Sequence, residues 1–368
     1  MADLALKDLR NRLVGSARFR ERAQKIPFVQ LFASHQANEL FQLCSGFIHS
    51  QVLLACVRLD LFARLAGGPA DSDRLKAEFE LDDAAGERLF AAAVALELLE
   101  SRDGRRLALG RLGAALNDNP GVIAMIRHHA LLYEDLRSPD ALFGGALDST
   151  RMAELWAYAG DPGASDLDAR AVGDYSELMA VSQAMVAEQV LASFPMRAAR
   201  SLLDIGGGAG AFAMAAARRW PRLDVSIVDL PQVAEIARGR IAAAGLDGRI
   251  DVFGADATTD YLPDGFDLVS LVRILHDHGD ERAFELLRAA HRSLRRGGTL
   301  LIAEPMAGDD RAGRLVSAYF NVYLFAMGSG EPRTPAALAR LAREAGFRRV
   351  RRRRTSVPTI TSMLLASR

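Results

Sequence analysis

The sequence predicts an α/β protein in which a helical first half precedes a doubly wound, mostly parallel sheet whose last strand runs antiparallel. Three observations predict it. Apolar residues recur at helical spacing through 40–65, 84–99 and 122–136. From residue 201 onward, short β-branched or apolar runs alternate with helical stretches. The two final runs, near 347–353 and 359–365, are joined at Val357-Pro358 by a connection that allows only antiparallel pairing.

The 368 residues exceed the usual size of one domain, so two are expected. Hydrophobic residues make up 50% and charged residues 25%, with 46 Lys+Arg against 46 Asp+Glu, which excludes a general nucleic-acid coat protein. Cys44 and Cys56 share one helical pattern, so no disulfide framework is expected, both read as core residues, and a reducing, cytoplasmic compartment fits. The N-terminus lacks the charged stub and apolar run of a secretion signal, and no apolar stretch is expected to span a bilayer.

Along the first half, helices are expected at 72–78 and 83–99, followed by Arg102-Asp103-Gly104-Arg105 as the turn of a hairpin. That order is winged-helix-like. Its second helix carries Asp82, Asp83 and Glu87, which would repel phosphate, so packing or dimerisation is expected in place of DNA binding. The Gly-, Pro-, Ser- and Asp-rich stretch 160–173 marks the domain boundary, giving 1–172 and 173–368. A helix is expected at 175–193. Parallel strands then follow at 201–205, 225–228, 250–253, 268–271 and 300–303.

The first strand runs into Asp204-Ile205-Gly206-Gly207-Gly208-Ala209-Gly210 as the next helix begins. Such a loop lets backbone approach a ligand, although a tight strand-to-helix turn alone also calls for glycine. Asp229 closes the second strand, where a carboxylate can accept both ribose hydroxyls, and Asp256 follows the third, placed for an adenine amine. Gly206, Gly208 and Gly210 do not follow the dinucleotide spacing. Asp204 beside a pyrophosphate would repel it but would attract the amino group of S-adenosylmethionine. A sulfonium methyl donor is therefore the expected cofactor, with product S-adenosylhomocysteine.

The segments 204–210, Asp229-Leu230-Pro231, Gly254-Ala255-Asp256, Ile274-Leu275-His276-Asp277 and 297–304 together resemble the ordered motifs of class I small-molecule O-methyltransferases. The resemblance implies a Rossmann-like class I methyltransferase domain with an antiparallel last strand, plus an N-terminal helical, winged-helix-like dimerisation domain and hence a homodimer. It places Leu230, Ala257 and Arg273 with the cofactor-binding residues and makes His276 the general base, with Glu304 and Glu331 flanking it. Asp277 is expected to hold the substrate or the cofactor-side loop. Two departures stand out: His278 occupies a position where many relatives carry Trp, and Ala209 replaces a hydroxyl residue. Read alone, His276-Asp277-His278 with Asp280 also fits a helix N-terminus. Metal binding is not expected, because alternate helical positions diverge and no further ligands cluster there.

The acceptor pocket is expected on the aromatic helix before Gly328, with Tyr319, Phe320, Tyr323, Phe325 and Met327, and on His128 and His129. These side chains suit a hydrocarbon-like acceptor. A narrower resemblance, carried by 41–62 and 125–130, is to the bacterial acyclic carotenoid O-methyltransferases of the hydroxyneurosporene and demethylspheroidene type, which implies methylation of a tertiary 1-hydroxyl. Ring-carbon methylation of a bacteriochlorophyll, a nicotinamide-dependent dehydrogenase and a noncatalytic cofactor-sensing regulator are the alternatives. Lys7, Arg10, Arg12, Arg18, Arg20, Arg22 and Lys25, and the arginines of 348–354, fit either peripheral contact with anionic lipid or a solvated arm and a charge-protected edge strand.

Overall fold

The structure is a computed structural model that describes residues 8, 11, 12, 15, 16, 27–145, 149–160 and 169–368. Of the basic N-terminal segment, Lys7, Arg10, Arg18, Arg20, Arg22 and Lys25 lie outside the described residues, as does most of the expected linker, 161–168. The chain divides into two compact units, Met1–Asp118 and Asn119–Arg368.

In the first unit, α1 (Pro27–Arg58) and α2 (Leu61–Ala66) are separated at Asp60, whose left-handed φ of 55° ends the run expected to continue to residue 65. β1 (Ala70–Asp71), α3 (Ser72–Glu78), α4 (Asp83–Ala95), β2 (Leu99–Arg102), β3 (Arg106–Leu109) and α5 (Arg111–Leu116) follow. Asp71 caps α3 by accepting from the amides of Asp73 and Arg74, and Asp82 caps α4 by accepting from that of Ala85. α4 stops short of the expected 99 because Glu97 turns left-handed at φ 55° and the chain enters β2. Asp103 and Gly104, at φ 56° and 70°, close the β2–β3 hairpin, and the three strands pair in the order β1-β3-β2. The acidic residues of the wing module surround a buried ammonium: Lys76 Nζ lies 2.9, 3.2 and 3.5 Å from Asp73, Asp83 and Glu87.

Two expectations for α1 need correction. Cys56 is buried but Cys44 is exposed. Ser34–Arg58 is also long and apolar enough, by length and composition, to cross a membrane, with Glu39 and Arg58 its only Asp, Glu, Lys or Arg residues. Leu54, Cys56 and Val57 are buried, whereas Leu40, Phe41, Leu43, Phe47 and Ile48 are exposed in the single chain.

The second unit begins with α6 (Pro120–Asp135), α7 (Pro139–Phe143), α8 (Arg151–Gly160) and α9 (Ala169–Ser193). The boundary expected at 172/173 falls inside α9, and the compact division lies earlier because α6 packs along α9 and α9 packs on the helix after the glycine loop. Strands β4 (Ser201–Ile205), β5 (Asp224–Asp229), β6 (Ile250–Gly254), β7 (Phe266–Val272), β8 (Leu294–Glu304), β9 (Arg348–Arg353) and β10 (Ser362–Ser367) form one sheet in the order β6-β5-β4-β7-β8-β10-β9. The pairs from β6 through β8 are parallel, and β10 runs antiparallel to both β8 and β9.

Both faces of the sheet are covered, which explains why its strands read as continuous apolar runs. Leu203, Ile205, Val269, Leu271 and Ile302 pack against α12 (Asp280–Ser293) and α14 (Pro335–Glu344). Leu202, Ile227, Leu268, Leu301 and Met363 pack against α9, α10 (Ala211–Arg219) and α11 (Pro231–Ala243). From β4 the chain winds outward to β5 and β6 and then returns to β7 on the other side, so the direction of winding reverses between β4 and β7. Ligands of open α/β sheets bind in the crevice at that reversal. The aromatic helix α13 (Arg311–Met327) packs against α6 and α8, with Phe320, Leu324 and Met327 in a cluster with Leu132 and Met152.

Candidate active site

The glycine loop leaves β4 at the carboxyl edge of the sheet. Gly206, Gly208 and Gly210 take φ of 68°, 55° and 83°, and Gly210 precedes the first turn of α10. Side chains could not replace the first two glycines without displacing neighbours: a Cβ on Gly206 would lie 2.7 Å from Ile274 Cγ1, and one on Gly207 would lie 2.8 Å from Asp204 Oδ2. A small recess is lined by Gly206 and Gly207 of this loop, Asp204, Phe212, Val272, Arg273 and, from α9, Gln183 and Val186.

Three carboxylates meet the same edge in different states. Asp204 is 1% exposed; its Oδ1 accepts from Ser270 Oγ at 2.6 Å, while Oδ2 has no hydrogen-bond partner. Burial pushes its carboxyl up to about 7, assisted by the charge of Asp229 and opposed by the Ser270 hydroxyl. Asp229 accepts from the Gly208 amide at 2.7 Å and from the Leu230 amide at 2.8 Å, which ties the loop to the end of β5; burial still raises its carboxyl. Asp256 is held by Thr258 and, at 3.2 Å, by Arg282. Burial pushes the Asp256 carboxyl up, but those bonds outweigh it and keep the group below the usual range. Ala257 is buried in the turn that follows.

After β7 the chain takes a left-handed step at Arg273, φ 54°, a conformation that costs a non-glycine residue about 1 kcal/mol or more. The Arg273 guanidinium lies 5.8 Å from the centre of the Phe320 ring. Leu275–Asp277 form a single 3-10 turn, and α12 starts two residues beyond His278, so His276 lies before that helix. His276 is 2% exposed, with Nε2 3.1 Å from Asp277 Oδ1 and Nδ1 3.7 Å from Glu304 Oε1. Glu304, the last residue of β8, accepts from the Leu275 amide at 2.6 Å and the His276 amide at 3.2 Å. Phe320 meets the imidazole edge-on, with ring centres 6.1 Å apart. Burial raises the Asp277 carboxyl, against the opposing charges of His276 and Arg273.

Glu331 contributes differently from the expectation that its carboxylate flanks His276. Its amide donates to the His276 carbonyl at 2.9 Å, and its carboxylate lies 3.1 Å from Arg333. Arg333 is itself buried. It donates to the carbonyls of Leu275 and His278, each at 2.8 Å, and to Asp280 at 2.8 Å, so one guanidinium clamps the His276 turn from both sides.

On α6 and α13 two polar rungs close on themselves. His128 Nε2 and Tyr323 OH are 3.0 Å apart, and His129 Nε2 and Tyr319 OH are 2.7 Å apart. Burial, with the neighbouring His129, drives His128 down to about 4, and burial pushes Tyr323 up to about 12. These four side chains are therefore neutral near pH 7 and present ring faces. Met327 is buried at the end of α13, whereas Phe325 is half exposed and stacks on Phe143.

Sequence reasoning missed Gln183, Ser270 and Arg333. Ser270 had a signal, as the one polar residue among the apolar core of β7; Gln183 and Arg333 had none.

Comparison with known proteins decides the family. The O-methyltransferase domain pattern matches residues 156–348, more than half of the chain, and the O-methyltransferase dimerisation domain pattern matches 41–116. The chain belongs to the O-methyltransferase family. This O-methyltransferase is 39% identical over 349 residues to the demethylspheroidene O-methyltransferase of Cereibacter sphaeroides, covering 95% of this chain and 91% of that one. It is 36% identical to the enzyme of the same name from Rhodobacter capsulatus, covering 97% and 88%. Among solved structures it resembles the S-adenosylmethionine-dependent methyltransferase SibL (TM-score 0.74, 26% identity, 90% and 98% of the two chains). It also resembles human N-acetylserotonin methyltransferase in complex with SAM (TM-score 0.67, 25% identity, 90% and 97%).

Proposed function

We propose that this O-methyltransferase methylates the tertiary 1-hydroxyl of an acyclic hydroxycarotenoid. Its methyl donor is S-adenosylmethionine, which supplies an electrophilic methyl on a sulfonium centre. The observation that carries the donor site is the unpartnered Asp204 Oδ2 in a glycine-lined recess, a buried acceptor suited to an ammonium group. The Gly206–Gly210 segment and Asp204 hold the amino-acid end, Asp229 with Leu230 the ribose, and Asp256 with Ala257 the adenine; Arg273 closes the recess toward Phe320.

The acceptor class rests on the near full-length match to two demethylspheroidene O-methyltransferases, and the closed His–Tyr rungs support it by leaving apolar ring faces around Phe320. His276 takes the hydroxyl proton at Nε2. For that, Nε2 exchanges its Asp277 partner for the acceptor oxygen, while Glu304 behind Nδ1 balances the charge that the ring takes on. A tertiary alcohol is a weak acid, so the proton leaves as the oxygen–carbon bond forms. Burial of the turn under Phe320 excludes water from that step.

The exposed apolar side of α1 lies within the matched dimerisation domain, and a second copy of the chain is its occupant in this reading. The enzyme works in the cytoplasm and meets its membrane-dissolved acceptor at the bilayer surface. Incubation with methyl-labelled S-adenosylmethionine and a panel of hydroxycarotenoids and tetrapyrroles tests the reading. Label on the 1-oxygen of an acyclic carotenoid is the expected result, and label on a tetrapyrrole ring carbon overturns it.

A further inference from the structure

We propose that the outer edge strand β9 is a docking surface for anionic lipid headgroups, an inference that rests on the lipophilic acceptor proposed above. The whole chain is neutral, with 46 basic and 46 acidic residues, yet 348–354 contains six arginines and one valine. All six arginines are exposed. Arg352 lies 3.6 Å from Asp310, and Arg353 donates to the Ser193 carbonyl at 3.0 Å. Among the described residues, no ion pair engages Arg348, Arg349, Arg351 or Arg354.

The placement of this charge is as informative as its amount. β9 is last in the sheet, so its outer backbone edge is unpaired. Because β10 is antiparallel to both β8 and β9, β9 points the same way as β4 to β8. Its C-terminal end, with Arg351 to Arg354, therefore stands at the edge of the sheet that carries the glycine loop and the His276 turn. Arg351 and Arg353 share one side of the strand and Arg352 takes the other, so the charges fan around the edge over roughly 20 Å.

A fan of this kind fits a flat polyanionic surface met edge-on. Val357, 37% exposed in the following loop, adds an apolar contact beside it. A single-stranded nucleic-acid site would be expected to interleave aromatic side chains for stacking, and 348–358 contains none; duplex DNA is discriminated by its competition with the vesicles. Protection of the edge against pairing is compatible with the same charges, and the vesicle measurement separates the two roles.

The test uses the full chain in sedimentation with vesicles of phosphatidylglycerol and phosphatidylcholine, or of phosphatidylcholine alone. Binding to the anionic vesicles at about 0.05 M salt, and release toward 1 M, where the screening length falls to about 3 Å, is expected. The combined R348Q/R349Q/R351Q/R354Q variant should partition at least about 100-fold less, and the matching four-lysine variant within a few-fold of the parent. Turnover on detergent-dispersed acceptor should be unchanged in both. Equal binding by the glutamine variant, no preference of the parent for anionic vesicles, or displacement of the vesicles by a short duplex DNA at equal charge would each overturn the proposal. Should the glutamine variant not fold, the R351Q/R354Q pair decides under the same conditions: a loss of about tenfold or more is expected, and parental binding by that pair overturns the proposal. Loss of methylation of dispersed carotenoid by the parent would remove the substrate reading and leave the vesicle result standing.

Discussion

Glu304 Oε1 accepts the backbone amide of His276 at 3.2 Å and stands 3.7 Å from Nδ1 of the same residue, beyond hydrogen-bond distance, so one carboxylate fixes the turn and faces the ring that the turn carries. The two roles separate by substitution. Glu304→Gln keeps an acceptor for the Leu275 and His276 amides but removes the charge, and turnover should fall at least about tenfold with cofactor affinity unchanged. Glu304→Leu leaves two buried amides unpaired and should cost about 2–4 kcal/mol of stability as well. Steady-state kinetics and denaturant unfolding on both variants check this.

The raised Asp204 carboxyl makes the protein pH-dependent in a defined direction. Its folded value of about 7 lies above the unfolded 3.8, so the folded state binds more protons between those values and loses stability as pH rises through them. The full effect is of order 4 kcal/mol. His128 and His278, each lowered to about 4 with burial as the largest cause, act oppositely and weaken the fold as pH falls below about 6.5. The difference between parent and Asp204→Asn isolates the aspartate: the variant should gain in melting temperature relative to the parent from pH 5 to 8. Calorimetry should show parental affinity for S-adenosylhomocysteine rising between pH 5.5 and 7, with a weaker, flatter response in the variant.

Arg333 is a positioning residue in this account. Arg333→Met strands the carbonyls of Leu275 and His278 and the exposed carboxylates of Asp280 and Glu331, and should cost about 3 kcal/mol of stability. Arg333→Lys should restore much of that stability. It cannot reproduce the forked contacts, so kcat should stay below the parent while KM for the donor is unchanged. A kcat restored fully by lysine would reduce Arg333 to a structural role.

The strands and their ligand-bearing ends were legible because each apolar run stops at an acidic residue or glycine: β4 at Asp204 to Gly206, β5 at Asp229, β6 at Gly254. Helix ends set by a single left-handed residue were not, since Asp60 and Glu97 have no local signal that distinguishes them from helical residues. The buried turn after β7 was visible as His276-Asp277, but its supports were not. Arg333 works through main-chain carbonyls remote in sequence, which carry no side-chain signature, and the Glu331 carboxylate pairs with Arg333. The expected domain boundary and the compact division differ because composition marks a loop, whereas the packing of α6 on α9 decides which compact unit a helix joins.

The central claim is that His276 moves the acceptor's proton without holding the donor. Calorimetric titration with S-adenosylmethionine and turnover on the hydroxycarotenoid, measured together on His276→Ala, test it most directly. The account predicts donor affinity within a few-fold of the parent and turnover reduced by about 10²–10⁴; turnover within a few-fold of the parent at saturating donor would contradict it.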